Sequence, residues 1–304
     1  MVGASQASAP APSAADVAHY YDANTRRFLF VGPRGGVHSI HRELWGPGVT
    51  TAAESVDYVN GLLAEEIRTG RPDRGRDDLS ILDLGCGVGG TMMRLAELLP
   101  ASHVVGVTIS PRQVEIGRRL VGQAGLSGRC AFVLGDMRSV AAGHAHDAVV
   151  AVESFVHVDS GSDFFDAAAR ALRPGGLLLV VDDFLAHPLE ELDVAQLQRV
   201  DDFRQGWRVP GLSTVESARV AGAAAGFEFR RFEDLSALVR TGRPRDRLIS
   251  ALAPAFRALQ LSPVPFFGNM IGGDALQKGL QAGTLRYGMA VFRLEGAHGH
   301  TSPA

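Results

Sequence analysis

Cysteine is scarce. Two residues, Cys86 and Cys130, stand in a chain of 304. They exclude a disulfide framework and offer no zinc-ligand spacing. A one-sided charge is also missing, since 30 Lys and Arg face 33 Asp and Glu for a net charge of −3. That balance excludes a general polyanion-binding surface, so nucleic acid is not an expected partner. No apolar run approaches the length that crosses a bilayer, Leu177–Val181 being typical, and no signal-peptide pattern is present. The expectation is a cytoplasmic protein with no membrane span and a small-molecule substrate, with a homo-oligomer left open. Tyrosine and tryptophan are few, four and two, so their grouping at Tyr20, Tyr21 and Trp45 is informative.

What the chain does have is a glycine-rich turn. The run Leu79 to Leu84 reads as a buried strand. Gly85-Cys86-Gly87-Val88-Gly89-Gly90 follows, and a helical pattern opens at Thr91 with Met92, Met93, Leu95, Leu98 and Leu99. Strand, turn and helix place backbone N–H groups and a helix N-terminus against a ligand. Gly85, Gly87 and Gly90 also satisfy the dinucleotide pattern. Asp83 separates the two readings. A dinucleotide brings a pyrophosphate, which a carboxylate just ahead of the first glycine would oppose. S-adenosylmethionine brings an α-ammonium and a sulfonium, which the same carboxylate suits. The run Asp-Leu-Gly-Cys-Gly-x-Gly-Gly resembles the first motif of class I S-adenosylmethionine-dependent methyltransferases.

Along the chain, residues 1–13 are mostly Ala, Ser, Pro and Gly and read as a disordered arm. Residues 14–75 read as an N-terminal helical cap, broken at Gly32–Gly36 and Gly46–Gly48. Residues 76–295 then alternate strand and helix. Strands are expected at Leu79–Leu84, Val104–Thr108, Cys130–Leu134, Ala148–Val152, Leu177–Val181, Phe227–Arg230 and Tyr287–Leu294. Helices are expected at Pro111–Ala124, Asp163–Leu172, Leu189–Val200 and Thr214–Ala225. Arg173-Pro174-Gly175-Gly176 reads as a tight turn. Such apolar strands separated by helices predict an α/β fold: a Rossmann-like, doubly wound, mostly parallel seven-stranded sheet. Helical insertions at about 186–212 and 239–283 would complete the cap. Pro244, Pro254, Pro263 and Pro265 break the second, and 296–304 reads as a frayed tail.

In open sheets of this kind ligands sit at the carboxyl ends of the strands. That rule ranks Thr108, Asp136 and Glu153. Most class I methyltransferases carry an acid at the end of the second strand; this chain has Thr108. Gly106-Val107-Thr108-Ile109-Ser110 with Gln113 resembles the sterol and cyclopropane-type branch. The resemblance implies that Thr108, Ile109 and Gln113 hold the ribose and neighbouring atoms. Gly135-Asp136-Met137 resembles the adenine site. Gly85, Gly87, Gly89 and Asp83 complete the cofactor set, with Glu153 facing the transferred methyl.

After the fourth strand comes Glu153-Ser154-Phe155-Val156-His157-Val158-Asp159. A carboxylate among apolar neighbours loses hydration and becomes a better base. His157 is the rival base, as in many small-molecule O-methyltransferases. Glu-Ser-x-x-x-Val-Asp together with Tyr20-Tyr21-Asp22 resembles bacterial prenyl, notably geranyl, diphosphate C-methyltransferases, and more distantly sterol C-methyltransferases. The resemblance implies transfer of a methyl group to an alkene carbon of an isoprenoid diphosphate, with proton removal by Glu153. Tyr20, Tyr21, Phe28, His41, Arg42, Trp45, Phe155 and Arg208 are the candidate acceptor contacts. No metal ligands are expected; Mg²⁺ would enter with a substrate diphosphate. The alternatives are a natural-product O-methyltransferase using His157 and a non-catalytic cofactor-binding protein.

Overall fold

The computed structural model describes residues 41–70, 78–140, 143–262 and 264–296. The expected arm, Tyr20, Tyr21 and Phe28, the rest of the chain before His41, and the tail from 297 lie outside the described residues. So do 71–77, 141–142 and Pro263.

Helix α1 (Ala52–Gly70) opens the described chain and packs through Val59, Leu63 and Ile67. Strand β1 (Leu79–Leu84), the glycine turn and α2 (Gly90–Leu98) follow. Next come β2 (Ser102–Thr108), α3 (Pro111–Gln123), β3 (Cys130–Leu134), β4 (His146–Val152) and α4 (Gly161–Ala171). Strand β5 (Leu172–Leu185) leads to α5 (Val194–Trp207) and α6 (Val215–Ala224). The chain finishes with β6 (Phe227–Asp234), α7 (Pro244–Ala258), α8 (Pro265–Gln281) and β7 (Leu285–Leu294). The sheet order is β3-β2-β1-β4-β5-β7-β6. The first five of these run parallel, and β7 is antiparallel to both its neighbours.

Successive side chains of a strand face opposite ways. Ile81, Val150 and Leu179 therefore join Met92, Leu95 and Leu63 on one face, while Leu82, Val149 and Leu178 join Phe164 and Phe165 on the other. Burial on both faces is why these strands read as unbroken apolar runs.

Several expected boundaries move. The fifth strand is far longer than Leu177–Val181. Arg173–Gly176 is a bulge inside it, where the register to β4 slips and Gly175 takes φ 79°. The strand continues through Asp182-Asp183-Phe184-Leu185 because β7 pairs with it to the end. The helix expected at Leu189–Val200 starts later, since Asp193 and Gln196 form a capping box that sets the first turn of α5. Pro254 sits inside α7 without ending it, while Pro244 and Pro265 start helices.

Helices α5 and α8 cross at glycines. A Cβ on Gly206 would lie 2.3 Å from the Gly268 carbonyl oxygen and 2.8 Å from Gly272 Cα. Backbone atoms cannot rotate away, so Gly206→Ala must push the helices apart. The expected cost is about 1–3 kcal/mol, the range for overpacking, read as a lowered thermal midpoint.

Candidate functional site

The glycine turn has the form its sequence requires. Gly85, Gly87 and Gly89 take φ 88°, 56° and 86°, where a side chain is strained. The amides of Gly85 and Cys86 both donate to the Val107 carbonyl at 3.0 Å, which binds the turn to β2. A Cβ on Gly87 would meet nothing within 4 Å, so that flank is open to a ligand. Asp83 is 2% exposed, and among the described residues its Oδ2 has no hydrogen-bond partner. Burial alone pushes its carboxyl up to about 7. An isolated buried carboxyl beside an open glycine cradle fits a cationic ligand, and the α-ammonium of S-adenosylmethionine is such a group.

At the end of β2, the Thr108 hydroxyl donates to Gln113 Oε1 at 2.6 Å, and Ser110 Oγ caps α3 by accepting from the Gln113 amide at 3.0 Å. Thr108 and Gln113 are therefore held together before any ligand arrives. Ile109 beside them is partly buried. Asp136 is engaged by Arg138, whose guanidinium reaches Asp136 Oδ2 at 2.7 Å and whose side-chain hydrogen bonds lower the Asp136 pKa. Met137 packs near the turn, its methyl 3.4 Å from where a Gly85 Cβ would stand.

Glu153 closes β4 in the left-handed region, with φ 50°. Its amide still donates to the Val181 carbonyl at 2.8 Å. Its Oε1 accepts from the Arg42 backbone amide at 2.8 Å and from the Tyr287 hydroxyl at 3.0 Å. The Arg42 guanidinium grips both oxygens of Asp183, one of them at 2.6 Å. It also lies 4.5 Å from the centre of the Tyr287 ring and 5.9 Å from that of Trp207. Burial opposes the charge of Arg42, but Asp183 outweighs it and the guanidinium is held above its ordinary pKa. Burial pushes Asp183 up against the pull of Arg42. Asp182 next to it is raised well above the carboxylate range by burial and by the Asp183 charge. Burial and Glu153 likewise raise the Tyr287 hydroxyl, so it stays a donor.

Both histidines near this group are lowered by burial, with the Glu153 charge opposing. Nδ1 of His157 meets the Arg208 carbonyl at 3.3 Å. A carbonyl only accepts, so that nitrogen is assigned the proton. Nδ1 of His41 faces the Arg42 carbonyl in the same way.

Three expected acceptor contacts need correction. Phe155 points into the core, its ring centre 4.8 Å from that of Phe164 and 6.2 Å from that of Phe184. The turn after β4 directs it to the far face of the sheet. Trp45 stacks under the Arg240 guanidinium at 3.3 Å and bonds Glu43, so its face is taken. Arg42, a candidate acceptor contact, is closed on Asp183. Arg208 caps α5 with φ 56° and meets His157 through its carbonyl. Tyr20, Tyr21 and Phe28 lie outside the described residues.

Asp183, Tyr287 and Trp207 were not singled out from the sequence. Asp183 follows the apolar core of β5 and fell within reach of the strand-end rule. Tyr287 did not, because it stands near the start of its strand. Only the antiparallel course of β7 brings it opposite Asp183. Among the described residues, no group of three or more His, Cys, Asp or Glu side chains could hold a metal ion, and no helix is long and apolar enough to cross a membrane.

The family model described as "Methyltransferase domain" matches residues 81–176. Sterol 24-C-methyltransferase ERG6B of Gibberella zeae is 32% identical over 160 residues, 52% of this chain and 42% of that protein. The chain thus covers from 42% to 60% of the length of the sterol methyltransferases it matches. O-methyltransferase resE of Aspergillus sclerotiorum is 28% identical over 231 residues, 75% of this chain and 82% of that one. Among solved structures, the 4+2 cyclase SpnF has TM-score 0.70 at 23% identity, covering 96% of this chain and all of that one. Geranyl diphosphate C-methyltransferase from Streptomyces coelicolor A3(2), in complex with Mg²⁺, a thiolodiphosphate substrate analogue and S-adenosylhomocysteine, has TM-score 0.67 at 17% identity. It covers 94% of this chain and 99% of that one. At these identities the structural likeness shows the fold.

Proposed function

We propose that the chain, whose residues 81–176 match a methyltransferase domain, is a class I S-adenosylmethionine-dependent enzyme that methylates an alkene carbon of an isoprenoid diphosphate, with Glu153 removing the proton that follows. The observation that carries the reading is the group at the end of β4. The Arg42 guanidinium is tied to Asp183, and among the described residues the Glu153 carboxylate accepts hydrogen bonds only from the Arg42 amide and the Tyr287 hydroxyl.

Asp83, Gly85, Gly87, Gly89, Thr108, Ile109, Gln113, Asp136 and Met137 would hold the cofactor. Bound there, S-adenosylmethionine supplies a methyl group made electrophilic by its sulfonium. Transfer of that methyl to the π pair of the acceptor, with the sulfur–carbon pair kept by sulfur, would leave positive charge on the neighbouring acceptor carbon. The Glu153 carboxylate and the Tyr287 and Trp207 rings would stabilise that charge. Glu153 then takes a proton from the adjacent carbon, and the C–H pair closes a new alkene. We propose that α5, α7 and α8, with residues 41–51, cap this site and keep water from the cation. Since Arg42 is closed on Asp183, the diphosphate would be met by Arg208 and by a Mg²⁺ ion that it carries.

A second reading is O-methylation of a natural product with His157 as base. The long match to an O-methyltransferase favours it, and the Arg208 carbonyl at His157 Nδ1 agrees with it, since a proton on Nδ1 leaves Nε2 as the basic nitrogen. A protein of this fold is named as a cyclase, so the test must measure methyl transfer itself. The enzyme is offered labelled S-adenosylmethionine with geranyl diphosphate, geraniol, a sterol with a side-chain alkene, and a phenol, and products are read by mass spectrometry. Carbon methylation of the diphosphate, with the alcohol much poorer, is the expected result. Methylation of the phenol alone would end the isoprenoid reading.

A further inference from the structure

The two oxygens of Glu153 are not equivalent. Oε1 accepts two hydrogen bonds, at 2.8 Å from the Arg42 amide and 3.0 Å from the Tyr287 hydroxyl. Among the described residues, Oε2 accepts none. We infer that Tyr287 and the Arg42 amide are positioning groups that lock the carboxylate so that Oε2 alone meets the acceptor. The inference rests on the transfer reading above and assigns the atom that receives the proton.

A carboxylate turns easily about its last bond, because the torsion to an sp² carbon is broad. Two donors on one oxygen remove that freedom. The Arg42 amide is itself immobilised. Its guanidinium is tied to both Asp183 oxygens and lies over the Tyr287 ring, so the main chain there cannot swing without breaking a buried bidentate pair. Asp183 and Tyr287 are register partners on β5 and β7, so one pair of strands sets both anchors. The left-handed backbone of Glu153 fits the same account. Such a conformation is strained for a residue with a side chain and persists where the surroundings over-determine it.

The chemical consequence is selectivity. A cation next to several C–H bonds yields a different alkene from each. A base oxygen fixed in one direction takes one proton, whereas a rotating carboxylate takes several.

Tyr287→Phe removes the hydroxyl and keeps the ring. Turnover should fall roughly 10–100-fold, the worth of a hydrogen bond to a charged group. The single alkene product should become a mixture of isomers. Asp183→Asn should give the same mixture with Tyr287 intact, by loosening Arg42. Slower variants that keep the wild-type isomer would overturn the inference. Crystal structures of the S-adenosylhomocysteine complexes decide independently of the acceptor. One Glu153 conformer is expected in the wild type and more than one in Tyr287→Phe, and a single unchanged conformer in the variant overturns the positioning role even if another acceptor class proves correct. The substrate panel judges the transfer reading separately.

Discussion

Replacing Glu153 by glutamine should lower turnover by about 10²–10⁴, the usual worth of a general base, while leaving cofactor affinity nearly unchanged. The structure makes the substitution a clean one. The amide oxygen of glutamine can take the place of Oε1 and accept from the Arg42 amide and the Tyr287 hydroxyl. The NH₂ group then stands at Oε2 and cannot accept a proton. Shape and the two hydrogen bonds survive; basicity does not. Calorimetry with S-adenosylhomocysteine reads the first half of the expectation, and turnover reads the second. Near-normal turnover in Glu153→Gln together with an inactive His157→Ala would transfer the role to the histidine and favour O-methylation.

Asp83→Asn should move stability and cofactor affinity in opposite directions. The folded chain holds the Asp83 carboxyl up to about 7 by burial, while an unfolded chain releases the proton near its ordinary value of 3.8. Between those values the unfolded state binds fewer protons, so stability falls as pH rises. The loss is complete above the folded value and amounts to ~4 kcal/mol. The cofactor-free asparagine variant should therefore melt higher than the wild type at pH 8, with the difference fading toward pH 4. A cationic ligand favours the ionised carboxylate, so wild-type affinity for S-adenosylmethionine should rise through the same window. The variant should bind about 1.5–3 kcal/mol more weakly, the cost of losing a hydrogen bond to a charged group. Thermal melts with and without cofactor at both pH values read all of this. Equal affinity in wild type and variant would remove Asp83 from the cofactor site.

The sequence was most legible where chemistry and chain order coincide. Leu79–Leu84 ends in its glycine turn, and Thr108, Asp136 and Glu153 each follow a parallel strand, so one rule about strand ends finds them. Phe155, named as an aromatic face for the acceptor, lies in the core. One residue past Ser154, whose hydroxyl turns back to the Leu84 carbonyl at 2.6 Å, the chain has already rotated toward the core. Trp45 failed for another reason, since an aromatic ring at a rim is also a platform for a neighbouring guanidinium. Tyr287 was hidden by topology. A residue near the start of a strand points away from the site in a parallel sheet and toward it in an antiparallel one, and nothing within β7 tells the two apart. Arg42 illustrates a limit of composition. An arginine in a segment rich in basic residues suggests phosphate, and only the position of Asp183 in three dimensions shows that its charge is already answered.

The insertion of β7 between β5 and β6 has a consequence for how the molecule comes into being. The bonds that build the cradle span 111, 141 and 134 residues along the chain. Closing such long loops takes entropy before any contact repays it, which slows folding. During synthesis Glu153 and Asp183 leave the ribosome well before Tyr287 exists, and the edge of β5 that β7 will cover stands open meanwhile. A nascent chain in that state presents an unpaired strand edge beside carboxylates that are not yet satisfied, the profile of an aggregation-prone intermediate. The contacts of Glu153 are thus completed only once β7 has been made, and their completion coincides with the sealing of the sheet.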